Sequence, residues 1–122
     1  MNYKSLKVWE LADKFAFEVY SITRLFPKHE IFGITSQLRR AALSVPLNIV
    51  EGYSRKGDRE LARFVNIAIG SLAEAEYLID FSLRLGYIKN SDFKELEFLK
   101  NELSKRLWSF YKRVKEAGWL DG

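Results

Sequence analysis

The 122-residue sequence predicts an all-α fold, an antiparallel up-down four-helix bundle in a single domain over residues 1–122. Three observations lead there. Apolar residues recur at steps of three and four along four long stretches, the repeat that gathers side chains onto one face of an α-helix. The breaks between stretches are short and carry Pro27, Gly57 and Gly86. No stretch keeps a strand's two-residue alternation for long, and no hairpin signal occurs. Long helices joined by short loops pack as antiparallel neighbours.

The first helix is expected from Ser5 to Phe26. Val8, Leu11, Phe15, Val19, Ile22 and Phe26 form its apolar face, and Ser5 is its candidate N-cap. Pro27 ends it, because the residue before a proline is driven out of helical conformation. The second helix is expected from near Glu30 to near Tyr53, with one stripe of Ile34, Leu38, Ala42, Val45, Ile49 and Tyr53 and another of Leu43, Leu47 and Val50. Pro46 lies inside it and leaves the Ala42 carbonyl without its helical donor, which predicts a kink at Pro46 or a break into two collinear pieces. Glu-Gly-Tyr-Ser-Arg-Lys-Gly-Asp, residues 51–58, reads as the following turn.

The third helix is expected from Asp58, as N-cap, to Leu85, with Gly86 as its stop. Roughly 28 residues at 1.5 Å each make it about 42 Å long. Its apolar residues nearly encircle it, so it needs cover on several sides. The fourth helix is expected from Asn90 or Ser91 to about Ala117, with Gly118 as its stop and Gly-Trp-Leu-Asp-Gly as a short tail. Leu96, Leu99, Leu103, Leu107, Phe110, Val114 and Ala117 line its core face. The apolar surplus on helices two and three exceeds what one bundle buries, and association between copies would cover it.

Composition narrows the function classes. The sequence has no cysteine, so disulfides and thiolate metal sites are excluded. The start lacks a signal peptide's apolar region, and the longest uncharged runs are about half the roughly 20 residues of a membrane span, so a soluble cytoplasmic protein is expected. The net charge of +4 permits nucleic-acid binding without requiring it. His29 is the only histidine, which leaves no Ser/His/Asp or Cys/His arrangement, no paired Glu-x-x-His di-iron site, and no phosphate-cradling glycine loop. No enzyme and no cofactor is expected.

From Phe26 to Leu78, three elements stand in order: Gln-Leu-Arg-Arg-Ala at residues 37–41, Asn-Ile-x-Glu-Gly at 48–52 and Gly-Ser-Leu-x-Glu at 70–74. They resemble the four-helix-bundle proteins encoded in intervening sequences of bacterial large-subunit ribosomal RNA genes, a family related to the accessory variability determinant of diversity-generating retroelements. Val50 departs from the alanine often found there, and the last helix matches only in pattern. The resemblance implies a ring-like homopentamer without catalytic activity. It also implies RNA binding for one branch, and a reverse-transcriptase partner with nucleic acid for the other.

Four clusters are candidate sites. Gln37, Arg40, Ser44, Asn48, Glu51 and Arg55 form a polar line along helix two, either a ligand or RNA groove or a hydrogen-bonded network between helices or subunits. The opposite charges built into the line favour the network, with Asn48 satisfying the backbone that Pro46 opens and Gly52 allowing close approach or the turn. On helix three, Arg63, Asn66, Gly70 and Glu74 share a face that would meet that line, with Gly70 marking close helix approach. Glu74, Glu76 and Asp80 are acidic, but a magnesium site needs oxygens from more than one element, and an Asp80–Arg84 pair is the simpler account. Lys105, Arg106, Lys112, Arg113 and Lys115, with Trp108 and Tyr111 among them, form the nucleic-acid candidate on helix four. Cations there neutralise phosphates and aromatics stack on bases; the same charges also suit a solvated helix end beside the C-terminal dipole. The sequence thus points to a non-enzymatic oligomeric RNA-binding module, with an adaptor for a protein partner such as a reverse transcriptase as the alternative.

Overall fold

A computed structural model describes the backbone of residues 2–121 and the side chains of residues 2–116. Four α-helices occur among them: α1 (Lys7–Thr23), α2 (Ile34–Ser54), α3 (Asp58–Arg84) and α4 (Asn90–Asp121). The described residues contain no strand.

The helix ends are where local chemistry departs from periodicity. Ser5 is not the cap of α1. It closes a 3-10 turn, Tyr3–Ser5, in which Asn2 accepts from the Lys4 N–H and the Ser5 hydroxyl donates to the Asn2 carbonyl at 2.9 Å. At the other end α1 stops at Thr23, three residues short of Phe26. The Thr23 hydroxyl donates to the Val19 carbonyl at 2.8 Å, and the Leu25 and Phe26 N–H groups turn back on Ile22 and Thr23. The segment after Pro27 forms a second 3-10 turn, Lys28–Glu30, so α2 begins at Ile34 rather than near Glu30. There the Glu30 carboxylate accepts from the Ile34 N–H at 3.3 Å and from the Tyr87 hydroxyl at 2.8 Å.

α2 runs unbroken through Pro46, which is buried, so the expected alternative of two separate pieces does not occur. α3 is entered from Gly57 at φ +91°, a left-handed conformation suited to glycine. Gly57 therefore holds the cap position, and Asp58 lies in the first turn with Glu60, where their charges favour the helix dipole. Gly86 at φ +81° ends α3 as expected. The Tyr87 N–H bonds to the Ser82 carbonyl and the Gly86 N–H to the Leu83 carbonyl, a Schellman closure. α4 continues past Gly118, its expected stop. The side chains of Ala117 and the tail lie outside the described residues.

Each helix packs on two neighbours: α1 on α2 and α4, α3 on α2 and α4. Gly52 faces Leu61 and Phe64 while Ser44 meets Ser71, so α3 runs back along α2. Asp58 to Asn66 share a cleft with Tyr111 and Lys115, whereas Glu76 meets Lys100, so α4 runs back along α3. Phe15, Val19, Leu38, Val45, Ile49, Val65, Leu96, Leu103 and Leu107 fill the centre and are shut off from solvent. The predicted core stripes of all four helices contribute to it. One bundle does not bury the apolar surplus: Leu47, Tyr77, Leu85 and Phe98 are between 45% and 64% exposed. No helix among the described residues is long and apolar enough to cross a membrane.

Candidate nucleic-acid interface and assembly faces

The core face of α4 is fixed by Leu96, Leu99, Leu103 and Leu107, all buried. At about 100° per residue, this places the cations of the helix around the rest of its circumference. Lys105, Arg106, Lys112, Arg113 and Lys115 are all exposed. They sweep about half the helix, from Arg106 and Arg113 on one flank to Lys115 on the other, broader than a single binding face. Among the described residues none of the five takes part in an ion pair, whereas Arg55, Arg63, Arg84 and Lys100 each do. Trp108 lies among them, 54% exposed, with Tyr111 edge-on at 6.1 Å. The Lys115 ammonium sits 5.7 Å from the centre of the Tyr111 ring.

On the Lys115 flank this surface meets α3. Asp58, Arg59, Ala62, Arg63 and Asn66 join Tyr111 and Lys115 around a cleft of about 370 Å³. Sequence periodicity did not bring Arg59 to this surface, because it lies more than fifty residues from Tyr111 and only the antiparallel return of α4 joins them. Deeper along the same pair, Lys100 bonds to Glu76 across the helices and to Glu97 at 3.2 Å along its own. Burial acts to lower the Lys100 pKa, but the hydrogen bonds to both carboxylates outweigh it and hold the ammonium above the usual lysine value. The signal for this site was Lys100 itself, placed four after Leu96 and seven before Leu107, at the edge of an apolar stripe.

The polar line on α2 divides into parts. Gln37 and Arg40 are exposed, and their side chains make no hydrogen bond or ion pair with other described residues. The Asn48 amide donates to the Ser44 carbonyl at 2.7 Å and to the Ser44 hydroxyl at 2.8 Å; that hydroxyl pairs with Ser71 on α3 at 2.9 Å. Asn48 thus serves the Ser44 carbonyl, one turn back from itself, and not the Ala42 carbonyl that Pro46 leaves open. Arg55, just past the end of α2, pairs back with Glu51 at 2.7 Å. Only Ser44 links the line to α3 by a hydrogen bond.

The α3 face is likewise not the partner of that line within the chain. Arg63 bonds to Glu60 at 2.9 Å and lies over Phe64, while Asn66, Gly70 and Glu74 are exposed. Nothing lies within 4 Å of a Cβ built on Gly70, so this glycine marks no close approach inside the bundle. The residue that faces α2 is its neighbour Ser71. Asp80 pairs with Arg84 at 3.5 Å as expected, and the described residues hold no group of three metal-ligating side chains.

A family model for the 23S rRNA-intervening sequence protein matches residues 4–109. The chain belongs to that family. Five chains of known structure also match. One is a protein of unknown function from the S23 ribosomal protein family of Bacteroides thetaiotaomicron VPI-5482. It is 24% identical, with a TM-score of 0.78 over 86% of this chain and 95% of that one, a likeness that carries the fold. No curated protein matches. The intervening-sequence match takes in all of α1 to α3 and ends at residue 109, so Lys112, Arg113 and Lys115 lie beyond it. Neither the family description nor that of the solved relative names an enzymatic activity.

Proposed function

We propose that this intervening-sequence protein is a non-enzymatic, oligomeric RNA-binding module. The observation that carries the reading is the set of five exposed cations on α4 with no ion-pair partner among the described residues, set beside the half-exposed Trp108. Unpaired surface cations release counterions when they meet phosphates, and an exposed aromatic gives a base something to stack on. The choice of RNA over DNA rests on the family resemblance, which implies RNA binding for the intervening-sequence branch.

Oligomerisation rests on the surface apolar groups. Phe17 and Leu43 line a groove on the α1/α2 side with Asp13 and Arg24. Tyr77 and Phe93 line one on the α3/α4 side with Glu76, Asp80 and Glu97. The two grooves lie on opposite sides of the bundle, one balanced in charge and the other acidic, and two unlike apolar surfaces suit a head-to-tail ring. A ring of five is what the family resemblance implies. Such a ring multiplies the α4 face, so weak contacts add through avidity.

The test is salt-dependent binding to a structured ribosomal RNA fragment, compared with the variant in which Lys105, Arg106, Lys112 and Arg113 are all glutamate. Native protein should lose affinity steeply as salt rises, and the variant should bind far more weakly. Equal binding by both rules out this face. A protein adaptor is the second reading, favoured by the same apolar grooves. One stoichiometric protein recovered from the native host, with no RNA affinity at low salt, would select it.

A further inference from the structure

The cleft at the α3/α4 end differs from the open α4 face in shape and composition. At about 370 Å³ it is the size of a small-molecule site and too narrow for a duplex. Arg59, Arg63 and Lys115 bring three cations to its wall, and Tyr111 brings a half-buried ring. The ring is held by the edge of Trp108 at 6.1 Å and the Lys115 ammonium at 5.7 Å. Arg63 is held too, its Nε on Glu60 and its guanidinium 4.5 Å above Phe64, which leaves its terminal nitrogens for a ligand. Asp58 and Asn66 line the same space. A carboxylate there opposes a bare inorganic anion. The Asn66 amide suits a ligand that joins an anion to hydrogen-bonding groups.

We propose that this cleft receives one unpaired nucleotide of a bound RNA, its phosphate held by Arg59, Arg63 and Lys115 and its base lying against Tyr111. The inference rests on the RNA-binding reading above and gives it a preference: single strands, loops or bulges over continuous duplex. Sequence-reading RNA contacts favour unstacked bases for the same reason, since a splayed base exposes both its face and its edge.

Fluorescence anisotropy with two RNA probes tests this: an oligouridine of roughly 12 nucleotides and a blunt duplex of similar length, within the site sizes of single-strand binders. The native oligomer should prefer the single strand. Tyr111→Leu should lower single-strand affinity by about 5- to 150-fold, the range for losing a base stack, and lower the single-strand to duplex ratio with it. Tyr111→Phe keeps the ring and should keep the ratio. Arg59→Glu, at an exposed position, should lower the ratio in the same direction with no change in fold. Duplex binding without a single-strand preference overturns the cleft inference and leaves the α4 reading standing, as does a Tyr111→Leu variant whose ratio is unchanged. Absence of binding to both probes overturns the α4 reading and the cleft together.

Discussion

The backbone of α2 at Gly52 lies so close to α3 that a Cβ added there would stand 2.8 Å from the Cβ of Phe64. The Leu61 Cδ1 and carbonyl oxygen would follow at 3.1 Å and 3.4 Å. A Cβ is anchored to its backbone, so relief requires the two helices to part. Gly52→Ala should therefore destabilise the fold. Overpacking costs about 1–3 kcal/mol, and the gain in helix propensity of about 1 kcal/mol offsets only part of it. A lower urea midpoint with an unchanged slope is the expected result; a higher midpoint would show that α2 and α3 can separate freely.

Gly70 should behave in the opposite way. It is exposed in the interior of α3, with nothing within 4 Å of a built Cβ. Gly70→Ala should raise stability by about 0.5–1 kcal/mol, the ordinary gain for a helix interior. The bulky Gly70→Arg tests the face in assembly. It should leave the bundle folded but shift the native mass downward if a second copy packs on this face, and leave the mass unchanged if solvent does.

Asn48 holds the α2/α3 contact through Ser44. Asn48→Leu removes two hydrogen bonds to Ser44, at 2.7 Å and 2.8 Å, and should cost about 1–2 kcal/mol. Ser71→Ala removes the cross-helix partner at 2.9 Å. The two changes touch one network, so their costs in the double variant should fail to add by about 0.5 kcal/mol or more. Strict additivity in chemical unfolding would mean that Ser44 serves each partner independently.

The fold was legible because periodicity is a local property. The stripe from Leu38 to Ile49 and the one from Leu96 to Leu107 are written in spacing alone, and both are buried as spacing demands. Gly57 and Gly86 were legible for a second reason: each takes a positive φ that glycine adopts without a steric penalty. Helix caps were harder. Ser5 and Asp58 have the right chemistry for a cap, but α1 starts after Leu6, which lends no capping side chain, and α3 after Gly57. The sites were least legible. The four basic residues Lys105, Arg106, Lys112 and Arg113 follow from spacing, yet Arg59 and Tyr111 share a cleft only because α4 runs back along α3. Gly70 misled for a related reason, since a glycine allows close approach without choosing which neighbour makes it.

Two carboxylates, Glu30 and Glu18, should give pH responses of opposite sign. The Tyr87 hydroxyl, followed by the Ile34 N–H, holds Glu30 below its ordinary value of 4.5. A depressed carboxylate adds stability above that value and loses it as pH falls through the folded pKa. The same bond holds Tyr87 above its ordinary 10.0, so its contribution lasts until alkaline pH ionises the phenol. Tyr87→Phe should therefore be less stable than the native chain at pH 7, and the gap should close well below pH 4.5. Glu18 runs the other way: burial, then Glu95 and Asp92 on α4, raise its pKa despite Lys14. Its ionised form costs stability at neutral pH, and protonation relieves that cost as pH falls through the raised value. Glu18→Gln should be more stable than the native chain at pH 7 and equal to it well below pH 4.5. Urea midpoints at pH 7 and pH 3 for all three chains measure both gaps. If the two gaps share a sign at pH 7, the electrostatic account of one site is wrong, and the variant with the unexpected sign identifies which.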